Sequence, residues 1–105
     1  MDQERRRTPR YSFIAHAELS EDKSHVRLAT RVSELSLYGC YLDMMNPFPS
    51  DTLITLKITA GEEIFEAHAK IIYSTPNMGA GVVFLEVDPK YQPILRHWLE
   101  AAESS

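Results

Sequence analysis

Residues 53–74, LITLKITAGEEIFEAHAKIIYS, decide the fold class of this chain. Two segments rich in β-branched and other apolar residues, 53–58 and 64–74, flank a short connection that contains Gly61. Glycine permits backbone conformations that other residues avoid, and a compact connection between two such segments is typical of a hairpin. The centre of the chain therefore predicts two adjacent antiparallel β-strands.

Strand character continues on both sides of this hairpin. Apolar and polar residues alternate through further short segments, as expected of strands that bury one face. These segments are residues 11–19, a run that begins at residue 26, residues 40–44 after Gly39, and the short apolar run 81–87. With the central hairpin they make six predicted strands, with no helix between them.

The last part of the chain changes to a helical pattern. Asp88 and Pro89 are typical of an N-cap followed by the first helical position, where the missing N–H of proline costs nothing. Apolar residues then recur at helical spacing and form one stripe, namely Tyr91, Ile94, Leu95, Trp98, Leu99 and Ala102. We expect a helix of about four turns from about residue 88, whose first residue is left open by Pro93.

Together these elements predict an all-β fold, a six-stranded antiparallel barrel with one C-terminal α-helix. Short strands joined without intervening helices favour antiparallel pairing, and closure into a barrel removes exposed strand edges. A chain of 105 residues fits one domain. We expect residues 1–10 to form a flexible arginine-rich arm and residues 11–105 to form the barrel domain with its helix.

Charge is unevenly distributed along the chain. The formal net charge is -4, but residues 1–10 hold four arginines against Asp2 and Glu4, so the remainder carries 7 basic and 13 acidic side chains, a net charge of -6. Binding of a nucleic acid polymer depends on the number of phosphates neutralised, and an acidic body opposes it. We therefore expect no nucleic acid polymer as a partner, whereas a small anion held by the arm is compatible with this distribution.

Several other classes of function find no support in the sequence. No apolar run approaches the roughly 20 residues that cross a bilayer, and no secretory signal is recognisable, so we expect a cytoplasmic protein without membrane insertion. The single Cys40 is expected to be a buried thiol. The four histidines are scattered, and no acid–base pair or nucleophile triad is recognisable, so we expect no metal site, no cofactor and no catalysis.

Four arginines lie close together near the N-terminus, at Arg5, Arg6, Arg7 and Arg10. A guanidinium group keeps its charge at physiological pH, offers five donors and stacks on purines. Four such groups can surround a compact dianion. The alternative is a solvated arm without a ligand, because an isolated basic run is weak support for a binding site.

A second motif, Glu34-Leu-Ser36-Leu-Tyr-Gly39, lies between the second and third predicted strands. In an extended segment residues i and i+2 share a face, so Glu34 and Ser36 can accept hydrogen bonds from the N1–H and N2–H₂ edge of guanine. Gly39 permits a positive φ or the close approach of a ligand. The alternative is a plain turn in which Ser36 satisfies the local backbone and Gly39 allows the bend.

The two motifs together resemble the signature of the PilZ domain family, RRxxxR followed by [D/N]xSxxG. Arg5, Arg6 and Arg10 match the first motif in full, and Ser36 and Gly39 match two of the three positions of the second. The run 79–84, GAGVVF, is similar to the glycine-containing late strand of that family, and the resemblance extends from residue 5 to about residue 100. Glu34 departs from the family's Asp or Asn by one methylene group but keeps the charge and the acceptors.

This resemblance implies a six-stranded barrel that binds the bacterial second messenger cyclic di-GMP. It also implies that Arg6 and Arg10 contact phosphate and guanine, that Arg5 adds a phosphate or stacking contact, and that Ser36 and Glu34 read a guanine edge. Family members without the motifs act as protein adaptors.

We therefore predict a non-catalytic cyclic di-GMP receptor that orders its N-terminal arm on binding and signals through an unidentified protein effector. A nucleotide-independent adaptor of the same fold, for example in pilus or flagellar machinery, is the alternative. A single-stranded RNA binder is a distant third.

Overall fold

The computed structural model describes residues 8–104, which form six β-strands followed by one α-helix. The strands are β1 (Arg10–Glu21), β2 (Arg27–Ser36), β3 (Gly39–Asp43), β4 (Leu53–Ala60), β5 (Glu63–Thr75) and β6 (Gly79–Glu86). A 3-10 turn at Pro89–Tyr91 leads into the helix α1, Gln92–Glu103. The predicted succession of six strands and a C-terminal helix is confirmed.

All strands pair antiparallel, and the sheet closes into a barrel in the order β1-β2-β3-β6-β5-β4. The hairpin predicted at residues 53–74 is the β4–β5 pair, in which Ile58 lies opposite Phe65. β1 pairs with β4 to close the barrel and brings Leu19 opposite Leu56. Closure gives each strand a hydrogen-bonded neighbour on both sides, which removes the exposed edges of an open sheet. The predicted barrel is confirmed.

Inward-facing apolar side chains fill the barrel. In β4, Ile54, Leu56 and Ile58 are fully buried, while the residues between them are more exposed. Phe65 lies at the centre of an aromatic group, with its ring centroid 5.2 Å from that of Phe84 and 6.2 Å from that of Trp98. Full burial of one such aliphatic or aromatic side chain stabilises the fold by about 1.5–3 kcal/mol. The interior is thus a packed core, and any site must lie on the outside of the barrel.

The helix α1 covers the barrel through the predicted apolar stripe. Leu95 and Trp98 are buried, and the Trp98 indole Nε1 donates a hydrogen bond of 2.9 Å to Glu63 Oε1. Asp88 caps the 3-10 turn, as its Oδ1 accepts from the backbone N–H of Lys90 at 3.0 Å. The α-helix begins only at Gln92, because Pro93 has no N–H to donate to the carbonyl four residues earlier.

A β-bulge interrupts β2 beside its C-terminal end. Val32 lies opposite Leu42, but the next residue paired with β3 is Glu34, opposite Tyr41, so that Ser33 is an extra residue. Beyond the bulge both Leu35 and the final residue of β2 are buried. The bulge thus aims the end of β2, which carries the second motif, at a different angle from the rest of the strand.

Candidate functional site

Four of the predicted site residues line one cleft on the outside of the barrel. Arg10, Glu34, Ser36 and Gly39 border a cleft of about 180 Å³ where the turn between β2 and β3 meets β5 and β6. Antiparallel pairing of β1 with β2 places Arg10 opposite Ser36 and Ser12 opposite Glu34, which explains why residues distant in sequence meet here. The other two predicted residues, Arg5 and Arg6, lie outside the described residues.

Arg10 and Glu34 form an ion pair at this cleft. The Arg10 Nε and Glu34 Oε1 atoms are 3.8 Å apart, and the two side chains are 46% and 47% exposed. A half-exposed pair of this kind stabilises a fold by only about 0–1 kcal/mol. Both groups can therefore exchange this contact for a ligand at little cost, one as a cation with several donors and the other as an anion with acceptors.

The Ser36 hydroxyl forms hydrogen bonds with the backbone of the turn that follows it. Its Oγ accepts from the backbone N–H groups of Tyr38 at 3.2 Å and Gly39 at 3.1 Å, and donates to the Gly39 carbonyl at 3.2 Å. A hydroxyl has one donor and two acceptor lone pairs, so these contacts use its full capacity. Ser36 shapes the rim of the cleft as in the plain-turn alternative, and its contact with a guanine edge stays a prediction.

Gly39 is required by the packing of two strands. Its φ is not positive, in contrast to that of Gly61 at 62°. A Cβ atom at position 39 would overlap the carbonyl oxygen of Val82 and lie 3.1 Å from its carbonyl carbon and 3.2 Å from the Cα of Val83. The sequence-based explanation by a positive φ is therefore wrong. The absence of a side chain lets β3 approach β6.

Two tyrosines that sequence reasoning did not select complete the cleft. Tyr41 in β3 and Tyr73 in β5 both lie opposite Gly81 in β6, and their ring centroids are 6.3 Å apart at an interplanar angle of 37°. Both line the cleft beside Glu34. Aromatic residues on the outer face of a strand opposite a glycine are a usable signal, but only when the strand register is known.

A charged cluster lies beside Tyr41. Asp43 receives hydrogen bonds at Oδ2 from Arg31 Nε (3.0 Å) and Nη2 (2.7 Å), and at Oδ1 from Ser33 Oγ (3.0 Å). Partial burial raises the pKa of the Tyr41 phenol, and the neighbouring Tyr73, Asp43 and Glu34 raise it further. Tyr41 is therefore a protonated phenol at neutral pH, able to donate a hydrogen bond.

Cys40 also borders the cleft, but burial raises the pKa of its thiol to about 12, so the thiol stays protonated at neutral pH. Within residues 8–104 no three His, Cys, Asp or Glu side chains are grouped as a metal site. The same part of the chain has no helix with the length and apolar character needed to span a membrane.

Comparison with known proteins agrees with this architecture. The structure superposes on the PilZ domain with c-di-GMP of YcgR from Escherichia coli with a TM-score of 0.76 and 19% sequence identity, covering 95% of this chain and 92% of that one. It also superposes on the PilZ domain of CeSA from a cellulose synthesizing bacterium, with a TM-score of 0.65, 15% identity and coverage of 90% and 95%. No curated protein matches the sequence. A family model described as PilZ domain matches residues 4–101, and the chain therefore belongs to the PilZ domain family.

Proposed function

We propose that this protein is a non-catalytic receptor that binds cyclic di-GMP in the cleft of Arg10 and Glu34 and passes the signal to a protein effector. The observation that carries the proposal is the weak, half-exposed ion pair between Arg10 and Glu34, beside the Ser36–Gly39 turn. The similar YcgR domain is a structure with c-di-GMP, which supports this choice of ligand.

The two charged groups of the cleft have complementary tasks in this proposal. The Arg10 guanidinium donates to a phosphate, and the Glu34 carboxylate accepts from the N1–H and N2–H₂ groups of guanine. Each charge-assisted hydrogen bond contributes about 1.5–3 kcal/mol. The exchange is favourable because the ion pair that is given up contributes no more than about 1 kcal/mol.

The N-terminal arm supplies the switch. Arg5 and Arg6 lie outside the described residues, and we expect them to complete the phosphate contacts that Arg10 begins. Ordering about six residues costs roughly 6–12 kcal/mol, and micromolar affinity needs a net gain of about 8 kcal/mol. The contacts of the arginines alone do not provide enough binding free energy to offset this cost and leave the required net gain. The arm therefore orders only when contacts in the cleft contribute binding free energy as well. An element whose order depends on ligand suits a signalling function.

Titration calorimetry with cyclic di-GMP tests this proposal. Arg6→Ala and Arg10→Ala should each weaken binding by about 10- to 100-fold, which corresponds to the loss of one charge-assisted hydrogen bond. Arg7→Ala is the matched control, because it removes the same charge from an unspecified x position of the RRxxxR motif and should change the affinity less than about threefold. A wild-type isotherm without heat at high nucleotide concentration would overturn the proposal.

Glu34→Asp tests the reading of guanine separately from the phosphate contacts. Asp restores the residue found in the family signature and removes one rotatable bond that binding must immobilise, so we expect binding to tighten about two- to fivefold, or roughly 0.5–1 kcal/mol. An unchanged or weaker affinity would show that this carboxylate does not read the base.

An adaptor that needs no nucleotide is the second candidate, favoured by an apolar pair outside the cleft. Met45 lies in the loop after β3 and Met78 in the loop between β5 and β6, and their side chains are 66% and 63% exposed. The Met45 carbonyl accepts a hydrogen bond of 2.7 Å from the N–H of Asn77, which joins these two loops. Exposed methionines adapt to varied partner surfaces. If the wild-type protein does not bind cyclic di-GMP, but Met45→Ser or Met78→Ser abolishes binding of the effector, the adaptor function is correct. Binding of RNA oligonucleotides with a steep salt dependence would instead favour the third candidate.

A further inference from the structure

We propose that Asp43 is a positioning residue for the ligand site, because its carboxylate holds the β-bulge that turns Glu34 toward the cleft. This inference rests on the proposed function and adds to it the element that sets the direction of the guanine-reading carboxylate. Asp43 belongs to neither of the two sequence motifs.

The bulge decides which face of β2 carries Glu34. In a regular strand residues i and i+2 point to the same face, so Glu34 would follow Val32. Val32 and Leu35 are both fully buried in the core, although they are three residues apart. Ser33 and Glu34, which lie between them, are both only partly buried. Without the extra residue the Glu34 carboxylate would enter the apolar core, where an unpaired charge is costly. The bulge therefore places this carboxylate at the cleft.

The Asp43 carboxylate joins two residues of β2. Asp43 lies opposite Arg31 in the β2–β3 pair, and its Oδ2 accepts hydrogen bonds of 3.0 Å and 2.7 Å from Arg31 Nε and Nη2. Its Oδ1 accepts a hydrogen bond of 3.0 Å from the Oγ of Ser33, the extra residue of the bulge. The Thr30 hydroxyl donates to the backbone carbonyl of the same aspartate. Asp43 thus attaches the bulge, and the regular part of β2 that precedes it, to one position of β3.

The strand on the other side of β2 is irregular at the same level. The register of β1 with β2 shifts between Ser12 and Ala15. Arg10, the ion-pair partner of Glu34, lies beyond this shift at the start of β1. The two strand ends that carry the charges of the cleft are therefore both set off from the regular part of the barrel where Asp43 forms its contacts.

The alternative is that this cluster only stabilises the barrel. The Arg31 and Asp43 side chains are 60% and 34% exposed, and an ion pair with this much solvent contact contributes little to global stability. Loss of the Asp43 carboxylate should therefore change mainly the local geometry of the bulge. The affinity for the ligand reports that geometry, because Glu34 follows the bulge directly.

Titration calorimetry with cyclic di-GMP tests the positioning role with two matched controls. Asp43→Ala should weaken binding by about 5- to 50-fold, which corresponds to the loss of up to one charge-assisted hydrogen bond of Glu34. Asp43→Asn retains an acceptor for Ser33 and should weaken binding less than about threefold. Glu18→Ala removes an equal charge from the outer face of β1, away from the cleft, and should change the affinity less than about twofold.

A double-mutant cycle shows whether Asp43 acts through Glu34. In a Glu34→Ala background, Asp43→Ala should weaken binding less than about twofold further, because the carboxylate that it positions is absent. If the factors of the two substitutions multiply instead, Asp43 acts independently of Glu34 and the proposal is overturned. Ser33→Ala removes the hydrogen bond from its donor side and should weaken binding about 3- to 10-fold, so the test does not depend on the folding of Asp43→Ala.

Nuclear magnetic resonance of the ligand-free protein separates this inference from the receptor function. Nuclear Overhauser effects between the backbone protons of Glu34 and Tyr41 report the bulged register. These signals should weaken in Asp43→Ala and in Ser33→Ala, while those across the β1–β4 pair persist. If Asp43→Ala keeps these signals and binds cyclic di-GMP like wild type, Asp43 has no positioning role and the receptor function stands. If wild type does not bind the nucleotide although the signals change as expected, the receptor function falls while the control of the bulge by Asp43 stands.

Discussion

Replacing Gly39 with alanine should destabilise the barrel, although this glycine belongs to a motif associated with ligand binding. The new Cβ atom would overlap the Val82 carbonyl oxygen by more than about 1 Å relative to an ordinary contact of about 3.5 Å. All three of its nearest neighbours are backbone atoms of β6, so no side chain can rotate away. β3 and β6 must therefore separate locally.

The size of the effect follows from what this separation breaks. Overpacking costs about 1–3 kcal/mol, and the adjacent hydrogen bond of 2.8 Å from the Phe84 N–H to the Tyr38 carbonyl contributes about 0.5–1.5 kcal/mol more. We expect a loss of about 2–4 kcal/mol in the free energy of unfolding. For a domain of this size the melting temperature should fall by about 10 °C or more.

Gly61→Ala is the matched control for this substitution. No atom lies within 4 Å of a Cβ at that position, so its cost is limited to the φ of 62°, about 1–2 kcal/mol. Thermal unfolding gives the overall ranking, and hydrogen exchange of the Phe84 amide gives the location. Exchange at Phe84 should accelerate in Gly39→Ala and not in Gly61→Ala. If Gly39→Ala melts at the wild-type temperature and keeps this amide protected while nucleotide binding is lost, Gly39 serves the ligand and is not required for the packing of β3 against β6.

Two further predictions concern buried groups of the barrel. Burial raises the pKa of Cys40 to about 12, whereas an unfolded thiol titrates near about 8.5, so stability should fall as pH rises from about 9 toward 12 because only the unfolded chain releases this proton. Urea unfolding at pH 8 and pH 10.5 should show a loss about 2.5 kcal/mol larger in wild type than in Cys40→Val, and equal losses would contradict the assignment. Glu63→Ala leaves the Trp98 Nε1–H without its acceptor and should cost about 1–3 kcal/mol in urea unfolding, while Glu63→Gln, which keeps an acceptor, should cost less than about 1 kcal/mol. Equal effects of the two Glu63 substitutions would show that this hydrogen bond is not the source of the stabilisation.

Local sequence patterns were sufficient for the strands and the helix. The alternation in residues 11–19 and the hairpin at 53–74 predicted β1, β4 and β5, since side chains that alternate between core and solvent leave a period of two. The capping role of Asp88 was also predicted from the sequence. The first and last residues of the elements were predicted less accurately, since β6 begins at Gly79, before the predicted residue 81.

Only some of the residues that line the cleft were predicted from the sequence. Arg10 and Glu34 were selected from motifs, and their proximity is explained by the β1–β2 pairing. Tyr41 and Tyr73 were not selected, because they meet only through the register of both strands with Gly81, and a local sequence pattern does not reveal the pairing of distant strands. The bulge at Ser33 was not predicted either, because it is defined by the pairing of β2 with β3 and one extra residue does not change the composition of a strand.

The seat of α1 gives this protein a built-in optical reporter. The chain has one tryptophan, and Trp98 is 4% exposed, with its ring centroid 5.1 Å from that of Phe13 in β1, the strand that begins with Arg10. The fluorescence emission of Trp98 should therefore be blue-shifted while α1 packs against the barrel. A red shift on addition of a ligand would signal that α1 lifts from the barrel, whereas an unchanged spectrum alongside calorimetric binding would confine the response to the cleft and the arm. The unlabelled wild-type chain can thus distinguish the two routes by which the signal could leave the domain.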